Sequence, residues 1–200
     1  MRIIVIGATG TIGKSVAKHL ASEHDVVKVA SKSGDYRADI TRKESIESVF
    51  KEIGRFDALV CAAGVARFAP LAQLSDEDFQ LGMVSKLMGQ VNLVRVGLDY
   101  ISDNGSFTLT SGVLSQQPMP GSASISMINA GIEGFVRAAA LEMPRGIRIN
   151  AVSPPWVKET LEALGMDSSN GMPAERVARA YRASVAGARS GIIINARDFA

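Results

Sequence analysis

One cysteine, two histidines, three tyrosines and one tryptophan are all that 200 residues hold of those types. A lone Cys61 excludes an intrachain disulfide, and its place after Ala58-Leu59-Val60 marks it as a reduced, buried thiol. His19 and His24 have no other metal-ligating residues patterned around them, so no metal site is expected. No apolar stretch approaches the roughly 20 residues needed to cross a bilayer. An excess of either charge is also missing: 22 basic residues against 20 acidic ones leave a net charge of +2. That balance argues against nucleic acid or an anionic membrane as the main partner. The first residues carry one basic group and a short apolar stretch that leads straight into a glycine turn, unlike a signal peptide. A cytoplasmic protein of one domain, residues 1–200, is the expectation.

Strand and helix patterns alternate along the chain. Ile3-Ile4-Val5-Ile6 is an apolar run, followed by Ile12, Val16 and Leu20 at helical spacing. Further strands are expected at 25–30, 38–40, 57–61, 106–110, 147–152 and 192–194. Ile46, Val49, Phe50 and Ile53 make an i, i+3, i+4, i+7 stripe, and long helices are expected over 76–100 and 122–143. Strands alternating with helices of this length predict a doubly wound α/β fold with a seven-stranded, mostly parallel sheet covered on both faces. Such a sheet places its ligand outside the carboxyl ends of the strands, where Gly7, Ser31, Asp39, Gly64, Ser111 and Pro154 all fall.

Between the first strand and helix runs Gly7-Ala8-Thr9-Gly10-Thr11-Ile12-Gly13. Glycines let the backbone turn sharply and approach a ligand, and a helix N-terminus offers unpaired N–H groups to a diphosphate. The same stretch, with Gly13-Lys14-Ser15, nearly spells a P-loop, in which Lys14 would reach the β/γ-phosphates and Ser15 would hold Mg²⁺. No later strand ends in the aspartate that would steady such a metal. At the end of the second strand, NAD-selective folds place a carboxylate about 20 positions beyond the glycines. Here Ser31, Lys32 and Ser33 stand first, with Asp35 the nearest carboxylate. Two hydroxyls and a cation suit a 2′-phosphate, so NADP(H) is expected over NAD(H).

The remaining motifs resemble those of the short-chain dehydrogenase/reductase family, over nearly the whole chain. Ala38-Asp39-Ile40-Thr41 is similar to the family's aspartate turn after strand three, and Cys61-Ala62-Ala63-Gly64 to its Asn-Asn-Ala-Gly turn. Thr110-Ser111-Gly112 resembles the strand end that carries the catalytic serine. The block from Pro144 to Pro154 reads almost as the family's own. The resemblance implies a Rossmann fold, and cofactor contacts from Gly7, Thr9, Gly10, Thr11, Ile12, Gly13, Ser31, Lys32, Ser33, Asp39, Ile40, Ala62, Ala63, Gly64, Pro154 and Val157. It also implies a homodimer or homotetramer joined through the two long helices.

The family's catalytic tyrosine and lysine are missing. Ile125 and Asn129 stand in their places, and none of Tyr36, Tyr100 and Tyr181 has a lysine four residues on. Lys86 falls where the resemblance expects asparagine, so lysine and asparagine are exchanged between facing helices. At about 100° per residue, Gly82, Lys86, Gly89, Leu93 and Gly97 share one arc, beside a core stripe of Met83, Leu87, Val91, Val94 and Leu98. Three glycines on one arc mark a close approach, while a snorkelling surface lysine is the plainer alternative. Three catalytic residues are expected. Ser111 would orient a carbonyl oxygen, Lys86 or a water it holds would supply the proton, and Asn129 would meet the ribose hydroxyls. The alternative is a catalytically silent NADP(H)-binding or sensing protein. A short lid over 155–172, lined by Trp156, Val157, Leu161, Leu164 and Met166, is expected to cover a small-molecule substrate.

Overall fold

Because Ile3, Ile4, Val5 and Ile6 are apolar without alternation, the strand they form must be buried on both faces, which only a central strand of a covered sheet allows. The computed structural model, which describes residues 1–199, places β1 (Arg2–Ile6) there, with all four side chains buried. Seven parallel strands run in the order β3-β2-β1-β4-β5-β6-β7: β2 (Asp25–Ala30), β3 (Tyr36–Arg37), β4 (Phe56–Cys61), β5 (Ile101–Thr110), β6 (Arg148–Ser153) and β7 (Ile193–Asn195). Strand order reverses between β1 and β4, and a ligand crevice opens at the carboxyl ends there.

Helices α2 (Lys43–Ile53), α4 (Gly89–Gly97) and α5 (Ala123–Ala139) cover one face. There Ile46, Phe50, Leu93, Ile128 and Ile132 meet the apolar side chains of β4 and β5. On the other face α1 (Thr11–Leu20) packs beside α7 (Ala174–Ala186) through Val16, Leu20, Val177 and Tyr181, with the short α6 (Lys158–Ala163) preceding α7 in the chain. Helix α7 has only a faint signature in the sequence. Its buried stripe is Val177, Ala178, Tyr181 and Val185, in which alanine buries well but scores weakly, and arginines at 176, 179 and 182 dilute the pattern.

Further boundaries differ from expectation, and α5 stops at Ala139, short of the expected 143. Strand β3 is two residues long and precedes the expected 38–40, where Ala38 and Ile40 are instead buried beyond its end. Strand β5 starts at Ile101, with a register shift between Phe56 and Ala58 on the neighbouring β4. The helix expected over 76–100 is three pieces: α3 (Asp76–Gly82), a π-helical turn over Met83–Met88, and α4. Met83 faces solvent and leaves the core stripe, because the wide turn resets the helical phase at that point.

Candidate active site

The glycine turn is built for a backbone approach. Gly7 has φ 79°, and a Cβ on Gly13 would sit 2.0 Å from the Gly7 carbonyl oxygen, so strand end and helix start are in direct contact. No side chain caps α1, which leaves its first N–H groups aimed at a ligand. These features fit the diphosphate of a dinucleotide. They do not fit the P-loop alternative. The helix already starts at Thr11, so Lys14 lies inside it, exposed on an outer groove with Lys18 and Lys28.

Ser31, Lys32 and Ser33 form an exposed turn after β2. Asp35, the carboxylate nearest that turn in the chain, is folded back: its Oδ2 accepts the Lys28 N–H at 2.8 Å. Asp39 is exposed beyond β3, and its Oδ1 accepts the Thr41 N–H and hydroxyl at 3.0 and 2.7 Å. Those bonds, the hydroxyl's first, hold its pKa below the usual carboxylate value. Ile40 does not reach the crevice; it is buried against Gly89.

At the switch point lies a cavity of about 280 Å³, lined by Ile12, Ala62, Ala63, Gly64, Pro154 and Val157 on the side of the glycine turn. Lys86, Gly112, Ile125, Asn129, Trp156 and Thr160 line its other walls. Lys86 comes from the middle of the π turn, and its inward direction agrees with the sequence arc. A Cβ on Gly64 would fall 2.7 Å from Lys86 Cα, and the Val65 N–H donates to Ser85 Oγ at 3.1 Å, so the β4 loop straps this turn in place. The Lys86 ammonium donates to Asn129 Oδ1 at 2.7 Å and to the Ser111 carbonyl at 3.1 Å. Burial pushes its pKa down to about 8.

Ser111 lines the cavity, but its hydroxyl is engaged elsewhere. Its hydroxyl donates to Glu133 Oε1 at 3.2 Å and leans on the Val152 carbonyl, so only its main chain serves Lys86. Asn129 is also committed, with Nδ2 against the Gly112 carbonyl at 3.4 Å while Oδ1 takes the lysine. The sequence assigns Glu133 no role. It is buried, receives Ser111, Ser115 and Gln116, and pairs with Arg137 at 3.2 Å, pinning the loop that lines the cavity. Among the described residues no tyrosine lines the cavity: Tyr181 is fully buried, with its hydroxyl 2.6 Å from Thr110 Oγ1. Burial raises the Tyr181 pKa, and with it the cost of ionising that phenol.

In the lid, Trp156 packs edge-on to Phe68 over the mouth. Leu161 is buried and Leu164 and Met166 face outward, so of the five apolar residues expected there only Trp156 and Val157 line the cavity. Glu159 caps α7, both oxygens accepting the Ala174 N–H at 3.0–3.1 Å, which leaves the neighbouring Thr160 to the cavity.

A parallel sheet with its switch-point cavity joined to an uncapped, glycine-turned helix defines a dinucleotide-binding protein of the doubly wound class. The family model described as enoyl-(acyl carrier protein) reductase matches residues 4–188. The chain belongs to the short-chain dehydrogenase/reductase family of oxidoreductases. Hydroxynaphthalene reductase arp2 of Aspergillus fumigatus is 32% identical over 130 residues, 62% of this chain and 48% of that protein. Carbonyl reductase family member 4 of Xenopus laevis is 29% identical over 190 residues, 84% of this chain and 80% of its own length. The chain spans about half the length of arp2 and of the 3-oxoacyl-(acyl-carrier-protein) reductase of Thermotoga maritima, 48% of each. The solved structure of the protein lin1944 from Listeria innocua superimposes with a TM-score of 0.93 at 42% identity, covering 98% of both chains. That of a small-chain dehydrogenase in complex with NADPH gives 0.88 at 28% identity, covering 98% of this chain and 95% of that one.

Proposed function

We propose that the chain is an NADP(H)-dependent oxidoreductase that interconverts a small carbonyl compound and its alcohol, with Lys86 as the proton donor in place of a tyrosine. The observation that carries this reading is the Lys86 ammonium itself, desolvated in the cavity and held by two neutral acceptors with its third N–H free. NADPH, when bound, supplies the hydride. Lys86 donates a hydrogen bond to the substrate oxygen through that third N–H and gives up the proton as the oxygen becomes an alcohol. Asn129 and the Ser111 carbonyl fix the direction of the ammonium. Ile125, Val113, Leu114 and Trp156 exclude water around the reacting carbon. The reductase names of the relatives support reduction of a carbonyl group.

Preference for NADP(H) is supported by the exposed Ser31-Lys32-Ser33 turn, by the inward fold of Asp35, and by the NADPH in a similar structure. The silent-binder alternative draws on the Ser111 hydroxyl facing Glu133 and on the missing tyrosine. Turnover of NADPH with a panel of aldehydes and ketones separates the two: oxidation above background supports the enzyme, and tight nucleotide binding without turnover overturns it.

A second copy of this chain is the proposed partner. Along α5, Ala123, Met127, Ala130, Gly134 and Ala138 form an exposed stripe without charge, beside exposed Met83, Val84 and Met88 on the π turn. Small residues on a helix face permit close helix pairing. Among the described residues no helix is long and apolar enough to cross a membrane, and a cytoplasmic location belongs to the same reading.

A further inference from the structure

Lys86 is the only charged side chain in the cavity wall among the described residues, and nothing there balances it. Both of its acceptors are neutral, a main-chain carbonyl and an amide. The ionisable groups on the elements packed around the π turn are accounted for elsewhere. From β4, the Cys61 thiol is buried, and burial pushes its pKa up to about 12, so it carries no charge near neutrality. From α5, Glu133 is already neutralised by Arg137 and three side-chain donors. From α3, Asp76 and Glu77 are exposed and Asp78 pairs with Arg67 at 3.9 Å, and on α4 Arg95 points to solvent, donating to Asn92. The cavity therefore carries one uncompensated positive charge.

The residues that line the cavity on the glycine-turn side make it the room for the nicotinamide end of the cofactor, so this inference rests on the dinucleotide reading above. The reduced ring is neutral and the oxidised ring carries a positive charge. A ring seated in this cavity lies against a wall that includes Lys86, and charges closer than the ~8 Å Debye length are poorly screened. Two cations at that range in a desolvated site repel strongly. We infer that the cavity holds one positive charge at a time, on Lys86 or on the nicotinamide ring, so that binding of the oxidised cofactor expels the Lys86 proton.

In turnover the balance closes without strain. Before reduction the charge is on Lys86 and the ring is neutral. The cofactor, when bound, would supply the carbonyl carbon with a hydride and its two electrons and take up the ring charge, as Lys86 passes its proton to the oxygen. The cavity stays at one positive charge throughout. Lys86 is thus a selector of the cofactor's redox state: reduced nucleotide binds to the protonated enzyme, and reprotonation of Lys86 after turnover drives the oxidised nucleotide out.

The test is nucleotide binding by calorimetry, with no substrate present, from pH 6.5 to 9 and in buffers of different ionisation enthalpy. NADP⁺ affinity is expected to rise about ten-fold per pH unit below pH 8 and level off above it, with about one proton released per site at pH 7. NADPH affinity is expected to show neither trend. The 2′-phosphate, which titrates near pH 6, is common to both nucleotides and cancels in the comparison. In Lys86→Met the two nucleotides are expected to behave alike. An NADP⁺ affinity that tracks that of NADPH across pH in the wild type overturns the inference, as does an undiminished NADP⁺ pH dependence in Lys86→Met. If Lys86→Met does not fold, the wild-type series decides alone. Failure of both nucleotides to bind is a different result, and it overturns the dinucleotide reading with everything built on it.

Discussion

Lys86 Nζ stands 2.7 Å from Asn129 Oδ1, so a lysine on the π turn and an asparagine on α5 meet across the cavity. The contact joins the two positions at which the sequence resemblance expects an asparagine and a lysine, with the lysine on the opposite helix from the one expected.

Removing that charge should separate activity from stability. Lys86→Met is expected to cut carbonyl reduction by about 10²–10⁴-fold, the usual worth of a general acid. The same change should stabilise the fold. Lys86 has a lowered folded-state pKa of about 8, so folding opposes its charge. That cost is fully present below pH 8 and is relieved as pH rises from 8 toward the unfolded value. Its upper bound is about 3 kcal/mol. Thermal melts at pH 7 should show Lys86→Met several degrees above the wild type, with the gap closing toward pH 10.

The pH profile reports the Lys86–Asn129 bond directly. Reduction needs the protonated lysine, so kcat/KM should hold steady below pH 8 and fall above it. Asn129→Ala removes an acceptor that favours the charged form, and its falling limb should move to lower pH. Stopped-flow rates across pH 6–10 check this. An unmoved limb would detach Asn129 from the titration.

Cofactor choice should answer to the turn after β2. Ser31→Asp places a carboxylate against a 2′-phosphate and offers an acceptor to a free ribose hydroxyl. The affinity ratio of NADPH to NADH is expected to drop by about a hundred-fold, since like charges at an interface cost several kcal/mol. Parallel titrations with the two nucleotides measure it.

Glu133 should matter to the fold out of proportion to its distance from the reacting atoms. Glu133→Ala strands Ser111, Ser115 and Gln116 and unpairs Arg137. A loss of about 3 kcal/mol in urea denaturation is expected, as for other buried charged hydrogen bonds left unmade.

The exposed stripe of α5 predicts self-association. Met127→Glu places a charge in its middle and should lower the sedimentation coefficient to that of a monomer, with the melting temperature of the isolated chain otherwise little changed.

Where the chain repeats a strong period, its structure could be read in advance. The uninterrupted apolar run of β1, the stripe of α2 and the glycine turn all announce themselves, while the arc of three glycines leaves Lys86 open to an inward or a surface place. What escaped depends on pairing rather than period. Helix α7 buries alanines against α1, a surface visible only once α1 exists. The hydroxyl of Ser111 turns to Glu133 because a buried carboxylate lies 22 residues away in sequence yet beside it in space. Glu159 caps α7 through a contact 15 residues distant, while its neighbour Thr160 lines the cavity. The π turn offers no composition of its own; it is where α3 and α4 reconcile two different buried faces.

Gly112 carries a consequence for how such a site changes over time. A Cβ there would lie 2.8 Å from Asn129 Nδ2, so no side chain at 112 can coexist with Asn129 where it now stands. Adding one displaces the amide that steers Lys86. A substitution at 112 is therefore felt at the lysine through Asn129, so the two positions do not vary independently: what can stand at 112 is set by what stands at 129.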